Sequence, residues 1–110
     1  MSMRSGCPLN YGLEIFGDKW SLLIIRDMIF FGKRYYREFL ASDEHISTNI
    51  LADRLRLLES EGIITQRPDS SHKQKLIYSL TQKGIELVPI IGEIGLWSDR
   101  YASKLTEQRD

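Results

Sequence analysis

A single cysteine, Cys7, carries all the thiol chemistry of this 110-residue chain. One cysteine excludes an internal disulfide, and with only His45 and His72 beside it the chain lacks the ligands of an ordinary metal site. Long apolar runs are missing too. The longest, Ser21 to Ile25, stops at Arg26-Asp27, far short of the ~18 residues of a membrane span. Residues 1–6 hold no apolar signal-peptide core. These absences predict a soluble, cytoplasmic protein with no membrane partner. An excess charge of either sign is also absent: 15 Lys and Arg face 15 Asp and Glu. Bulk charge therefore lends no support to a nucleic-acid partner, and only local distribution can.

The parts of a catalytic site are lacking as well. No glycine-rich phosphate loop is present. His45 and His72 fall in separate polar turns without a matching acid or thiol. Glu59 and Glu61 stand two apart on a predicted helix and point away from one another. The minimum for an active site is not met, so neither enzymatic activity nor a cofactor is expected.

What the chain does have is 42% hydrophobic residues in clear periodic blocks. Its length suits one domain over residues 1–110, able to bury about two thirds of its unfolded surface. Residues 8–16 read as a helix opened by Pro8, with Leu9, Leu13 and Phe16 on one side and Gly17 as its stop. Asp18 suits an N-cap for a second helix, Lys19 to Phe30, whose apolar residues wrap most of its circumference. Lys33 to Tyr36 reads as a short strand or an extended link. Arg37 to Ala41 follows as a third helix with Phe39 and Leu40 inward. After a polar turn at 42–45, Ile46 packs back and Ser47 caps a fourth helix over 48–61. There Leu51, Leu55 and Leu58 form one stripe and Gly62 is the stop. The period then changes to that of two strands, 63–67 and 74–80, around a polar turn with a net-positive tip. Thr81 caps a last helix running to about Leu105, and Pro89 predicts a kink or break near 85–89. The expected fold is α+β and mostly helical: a winged helix-turn-helix with a β-hairpin wing and a C-terminal dimerisation helix.

A helix that reads DNA buries one face and offers the other to base edges. At about 100° per residue, the stripe of Leu51, Leu55 and Leu58 sets Asn49, Asp53, Arg56 and Ser60 opposite, with Thr48 and Ala52 on the flank. Asn can pair with adenine through two hydrogen bonds, Ser47 and Thr48 can reach bases or phosphates, and Ala52 can touch a thymine methyl. Asp53 repels phosphate, so it must face a base amine, pair with an arginine, or lie off the surface. Arg54, beside the buried stripe, is free to pair with an acid or to reach a phosphate. Arg67, His72, Lys73 and Lys75 bracket the hairpin tip as a small basic wing, suited to phosphate contacts that position without reading sequence. Lys33, Arg34 and Arg37 can touch the flanking backbone in the same way, although Arg34 is equally suited to pair with Glu38.

The last helix carries Ile90, Ile94, Trp97, Tyr101 and Leu105 on one side, with Leu87 and Ile91 beside them. One small core cannot easily hide them all. They predict a homodimer interface with Leu9, Leu13 and Phe16, made by segments of approximately 8–16 and 81–105. A two-fold dimer sets two reading helices about 34 Å apart, one turn of DNA. Cys7 stands just before the first helix, where free amides acidify a thiol, with Arg4 nearby. The residues are equally compatible with an inert, half-buried thiol at a dimer seam. Two other readings stay open: a winged-helix interaction module that never touches DNA, and a regulator gated by a small molecule held between helix two, Trp20, Trp97 and the partner's helix.

Several stretches together resemble a known family. They are Cys7-Pro8, Gly17-Asp18-Lys19-Trp20 through Arg26, Arg34-Tyr35-Tyr36-Arg37-Glu38-Phe39, Arg54 through Ile64, and Tyr78-Ser79-Leu80-Thr81-Gln82-Lys83-Gly84. In order and spacing the chain resembles the HxlR-type winged helix-turn-helix transcription regulators of bacteria, related to MarR-type proteins. The resemblance runs from Cys7 to about Trp97. It departs from the family's usual Gly-Gly-Lys-Trp at Asp18, and from its usual Arg-Phe-Asn-Glu-Leu at Tyr35, Tyr36, Arg37 and Phe39. It implies a homodimer on a two-fold symmetric double-stranded DNA operator, with Ser47 to Arg56 matching the recognition helix. It also implies an oxidant or electrophile effector acting at Cys7, since several members sense such compounds there. With no second cysteine, the chemistry open to Cys7 is a disulfide to the partner's copy, a mixed disulfide, or alkylation.

Overall fold

The computed structural model describes residues 3–72 and 74–109, with side chains to Ala102. The elements are α1 (Pro8–Phe16), α2 (Ser21–Phe30), α3 (Tyr36–Leu40), α4 (Thr48–Ser60), β1 (Ile64–Pro68), β2 (Leu76–Leu80), α5 (Gln82–Ile85) and α6 (Val88–Arg109). Among the described residues the sheet has two strands, paired antiparallel with Ile64 opposite Leu80 and Pro68 opposite Leu76. No helix among them is long and apolar enough to cross a membrane.

Local chemistry explains the boundaries and where they differ from the sequence reading. Pro8 opens α1 at a position whose amide would be unpaired anyway. Asp18 is indeed the start signal for α2, but it acts one step earlier than a simple cap. Its carboxylate accepts the amides of Trp20 and Ser21 at 2.8 and 2.9 Å and the Ser21 hydroxyl at 2.6 Å. Lys19 and Trp20 therefore form a lead-in turn, and the helix begins at Ser21. α2 also buries one broad face, not most of its circumference: Ile24, Ile25 and Met28 are inside while Ile29 and Phe30 are exposed.

Residues 33–35 form an extended link, not a strand. The Arg34 carbonyl accepts one backbone bond from the Tyr78 amide at 2.8 Å, which lays the link along β2. α3 starts at Tyr36, one residue early, because Glu38 reaches back to the amides of Arg34 and Tyr35. Ser47 caps α4 by accepting the Ile50 amide. Gly62, at φ +74°, supplies the left-handed turn that lets the Ile63 amide close on Leu58. Ile63 is thereby spent on the helix end, and the strand begins at Ile64. Of the kink or break expected near residues 85–89, the break is what forms: the helix is interrupted at Glu86–Leu87, and Pro89 sits in the first turn of a separate helix.

The core gathers Ile15, Ile25, Phe39, Leu51, Leu58 and Ile63 from five segments, each residue at most 2% exposed. Phe39 meets Tyr78 edge to face, joining α3 to the wing. Beside this core lies a buried carboxylate, Asp27. It accepts from Arg26 at 2.7 Å, from Lys33 at 3.5 Å and from the Ser42 hydroxyl. Arg26 also grips Glu44 with two 2.9 Å bonds. This network ties the end of α2 to the turn before α4 and so fixes the tilt of the helix-turn-helix.

Candidate nucleic-acid interface

α4 presents the face expected of it. Leu51, Leu55 and Leu58 are buried, and Thr48, Asn49, Asp53 and Arg56 are exposed. Ala52 is half-buried on the flank. The Ser47 hydroxyl is occupied as an acceptor by its own cap but keeps its proton to donate. Ile50, absent from the sequence expectation, is 39% exposed beside Asn49. The signal was available, since Ile50 falls about 100° off the leucine stripe.

Asp53 takes the arginine-paired option. Arg54 binds it at 2.5 Å and also reaches Asp18 at 3.3 Å. The pairing, first through the hydrogen bond and then through charge, holds the Asp53 carboxyl below the usual carboxylate range. Burial pushes Asp18 up, but bonds from the Ser21 hydroxyl and the Trp20 and Ser21 amides, with Arg54, bring it below normal overall. Arg54 thus fastens α4 to the start of α2 and neutralises the one carboxylate on the reading edge. It is not a free phosphate ligand.

The flanking cations divide. Arg34, Arg37, Arg56, Arg67, His72 and Lys75 are exposed. Lys33 is not available: it donates to Ser42 at 2.9 Å and faces Asp27. Glu38 takes the amide of Arg34, not its guanidinium, which leaves that side chain unpaired by Glu38. Lys73 lies outside the described residues. Two tyrosines, singled out in the sequence only as departures from the family pattern, organise this surface. The Tyr36 hydroxyl donates to the Thr48 carbonyl at 2.7 Å, joining α3 to the first turn of α4. The Tyr35 hydroxyl donates to Asp69 at 2.9 Å, joining α3 to the wing. No sequence signal marks either contact, because both cross between elements 12 and 34 residues apart.

A second, apolar surface is carried by α1 and α6. Leu9, Leu13, Ile90, Ile94, Trp97 and Tyr101 are exposed, Leu9 at 70% and Trp97 at 64%. Phe16 departs from the expected set. It is half-buried and leans on its own core, with its ring over Gly12. Leu87 and Ile91 likewise pack inward. Leu96, also missed, is exposed, and the side chain of Leu105 lies outside the described residues. From Gly92 to Ala102 every residue except Ser98 is exposed, so most of α6 stands clear of the body. Trp20 packs against the core beside a void of about 10 Å³, too small for an organic ligand, and Trp97 does not line it.

Within one chain, Cys7 is exposed at the N-cap of α1. Arg4 is not offered to the thiol: its guanidinium binds Glu14 at 2.6 Å.

The family model described as HxlR-like helix-turn-helix matches residues 15–106. The chain is 31% identical over 106 residues to the HTH-type transcriptional regulator YybR of Bacillus subtilis, covering 96% of this chain and 84% of that one. Among solved structures, the reduced form of the redox regulator HypR superposes with a TM-score of 0.77 at 28% identity, covering 92% of this chain and 99% of that one. The reduced form of the transcriptional regulator YodB from B. subtilis gives 0.69 at 29% identity, covering 88% and 95%. HypR has also been solved oxidised, and YodB quinone-bound and diamide-treated.

Proposed function

The chain belongs to the HxlR-like helix-turn-helix family, and from that membership we propose that it is a sequence-specific, DNA-binding transcriptional regulator acting in the cytoplasm as a homodimer. The observation that carries this reading is the single polar surface made by the first turns of α4 and its flanking cations. Thr48, Asn49 and Arg56 stand free on the reading edge, and Asp53 is neutralised by Arg54. Arg67 and Lys75 on the wing and Arg34 and Arg37 at α3 extend positive charge to either side. The edge reads bases, and the cations bind phosphates and set register.

A net charge of zero does not oppose this, because the acids are withdrawn from the surface in question. Asp18, Asp27, Glu38, Glu44, Asp53 and Asp69 are each tied by hydrogen bonds within the fold. The dimer reading rests on the exposed apolar stripes of α1 and α6, which a monomer would leave in water. The two reading helices then meet successive turns of an inverted repeat. The rival adaptor reading is disfavoured by the regulators among its relatives.

We further assign Cys7 as the site of an oxidant or electrophile response, supported by its exposure at a helix start and by relatives that are redox regulators. The test of the whole reading is selection of bound duplexes from a random library, followed by a salt titration of the selected site. A recovered inverted motif and an affinity that falls steeply with salt are expected. Absence of duplex binding at low salt would end the proposal.

A further inference from the structure

The wing's distal half has little to hold it. Along β1 only Ile64 is buried, and Thr65 to Pro68 are exposed. A bare two-stranded hairpin is marginal in water. Yet this segment carries Arg67, His72 and Lys75, whose use depends on where they point relative to α4. Asp69, at the end of β1, is only 8% exposed, and both of its carboxylate oxygens are engaged. Oδ1 accepts the Ser71 amide at 3.1 Å and the Ser71 hydroxyl at 3.0 Å, which shapes the tip. Oδ2 accepts the Tyr35 hydroxyl at 2.9 Å. Asp69's own amide bonds to the Lys75 carbonyl at 2.8 Å, closing the tip. Tyr35 is in turn the N-cap of α3, with its amide held by Glu38 at 3.0 Å. The Lys75 ammonium rides 5.8 Å from the Tyr35 ring.

We propose that Tyr35 and Asp69 are positioning residues that latch the wing to α3, so that the cations of wing and α3 meet DNA as one preformed surface. The inference deepens the DNA-binding reading and rests on it. One carboxylate does two jobs: it folds the tip and fixes the tip's place beside the helix-turn-helix. The other fastenings, the Tyr78 amide to the Arg34 carbonyl and the Tyr78 ring against Phe39, lie midway along β2, opposite Gln66, and do not reach the tip. Without the latch, ordering the wing must come out of the binding free energy.

Tyr35→Phe removes one hydroxyl and keeps the ring. Hydrogen exchange on the full chain without DNA reads the latch directly. The amides of Asp69, Ser71 and Lys75 should exchange about tenfold faster in the variant, with those of α2 and α4 unchanged. Anisotropy titrations on the selected duplex should show affinity lower by about three- to tenfold and a salt slope smaller by about one phosphate contact. In an Asp69→Ala background Tyr35→Phe should have no further effect on binding. Unchanged wing exchange overturns the latch whether or not DNA binds. Faster exchange with unchanged affinity and slope overturns its positioning role. Failure of the wild-type chain to bind any duplex strikes the DNA-binding reading alone.

Discussion

Asn49 and Arg67 are both exposed polar residues on the same surface, and they should fail in different ways. Asn49 stands on the reading edge, where a side-chain amide can hold one base in register. Asn49→Ala should cost ~1–3 kcal/mol on the preferred site and little on random duplex. Arg67, on the strand leading to the wing tip, has a cation's reach and no base to read. Arg67→Ala should weaken all duplexes alike and lower the salt slope by about one. Parallel titrations on selected and scrambled duplexes decide this, and equal effects of the two changes on both would remove the division of labour. Cys7 belongs to the same scale. It is exposed and caps α1 through its backbone carbonyl, which accepts the Tyr11 amide at 3.1 Å, so its sulfur is free of structural duty. Cys7→Ser should keep DNA binding and lose its response to diamide or a quinone. A response that persisted in the variant would place the sensor elsewhere.

At the scale of elements, the joins between helices carry the argument. Gly84 in α5 sits against the end of α4, and a Cβ there would run into the Ile63 carbonyl and approach Leu80 Cδ2 at 2.9 Å. That carbonyl already accepts the Thr81 amide and hydroxyl. Helix propensity alone would favour alanine by about 1 kcal/mol. The contact reverses the sign, and Gly84→Ala should destabilise by ~1–3 kcal/mol in urea unfolding. A gain in stability would mean that α5 can shift without cost. The Arg26–Glu44 pair joins α2 to the turn before α4 in a different currency. Its two hydrogen bonds from Arg26 draw the Glu44 carboxyl down to about 2 from an ordinary 4.5. A depressed carboxylate stabilises the fold above its unfolded value, and that stability fades as pH falls from about 4.5 towards 2. Glu44 is 36% exposed, so solvent screening keeps the gain below about 1 kcal/mol. The stability gap between wild type and Glu44→Gln should be present at pH 7, shrink as pH falls below about 4.5, and close only at or below about pH 2. A gap independent of pH would assign the effect to packing.

At the scale of the whole molecule, the proposed pairing of two copies is the point to test. An exposed stripe of Ile90, Ile94, Trp97 and Tyr101 on a helix that leaves the body is unsuited to a monomer. Sedimentation should find a dimer, and Trp97→Glu or Ile94→Glu a folded monomer whose operator affinity is lower by about 100-fold. A monomeric wild-type chain with tight operator binding would refute the two-fold arrangement.

Much of this was legible in the chain itself. Periodic leucines, Ser47 before the fourth helix, glycines at the stops and a polar turn between strands fixed the type and order of elements. These signals are local, and short-range geometry sets them. They also placed Asn49, Asp53 and Arg56 together, because a helix face is a property of spacing. What remained undecided was how neighbours would share their charges. Lys33 looked like a free cation, but Asp27 and Ser42 claim it, and of the two options open to Arg54 the pairing with acids, Asp18 and Asp53, is the one taken. Phe16 looked like an interface residue but turned inward. Nothing in the sequence marked Tyr35 and Asp69 as partners. Hydrogen bonds and ion pairs act over a few ångströms, so which polar group is spent on the fold and which is left for a partner is fixed only once distant segments meet.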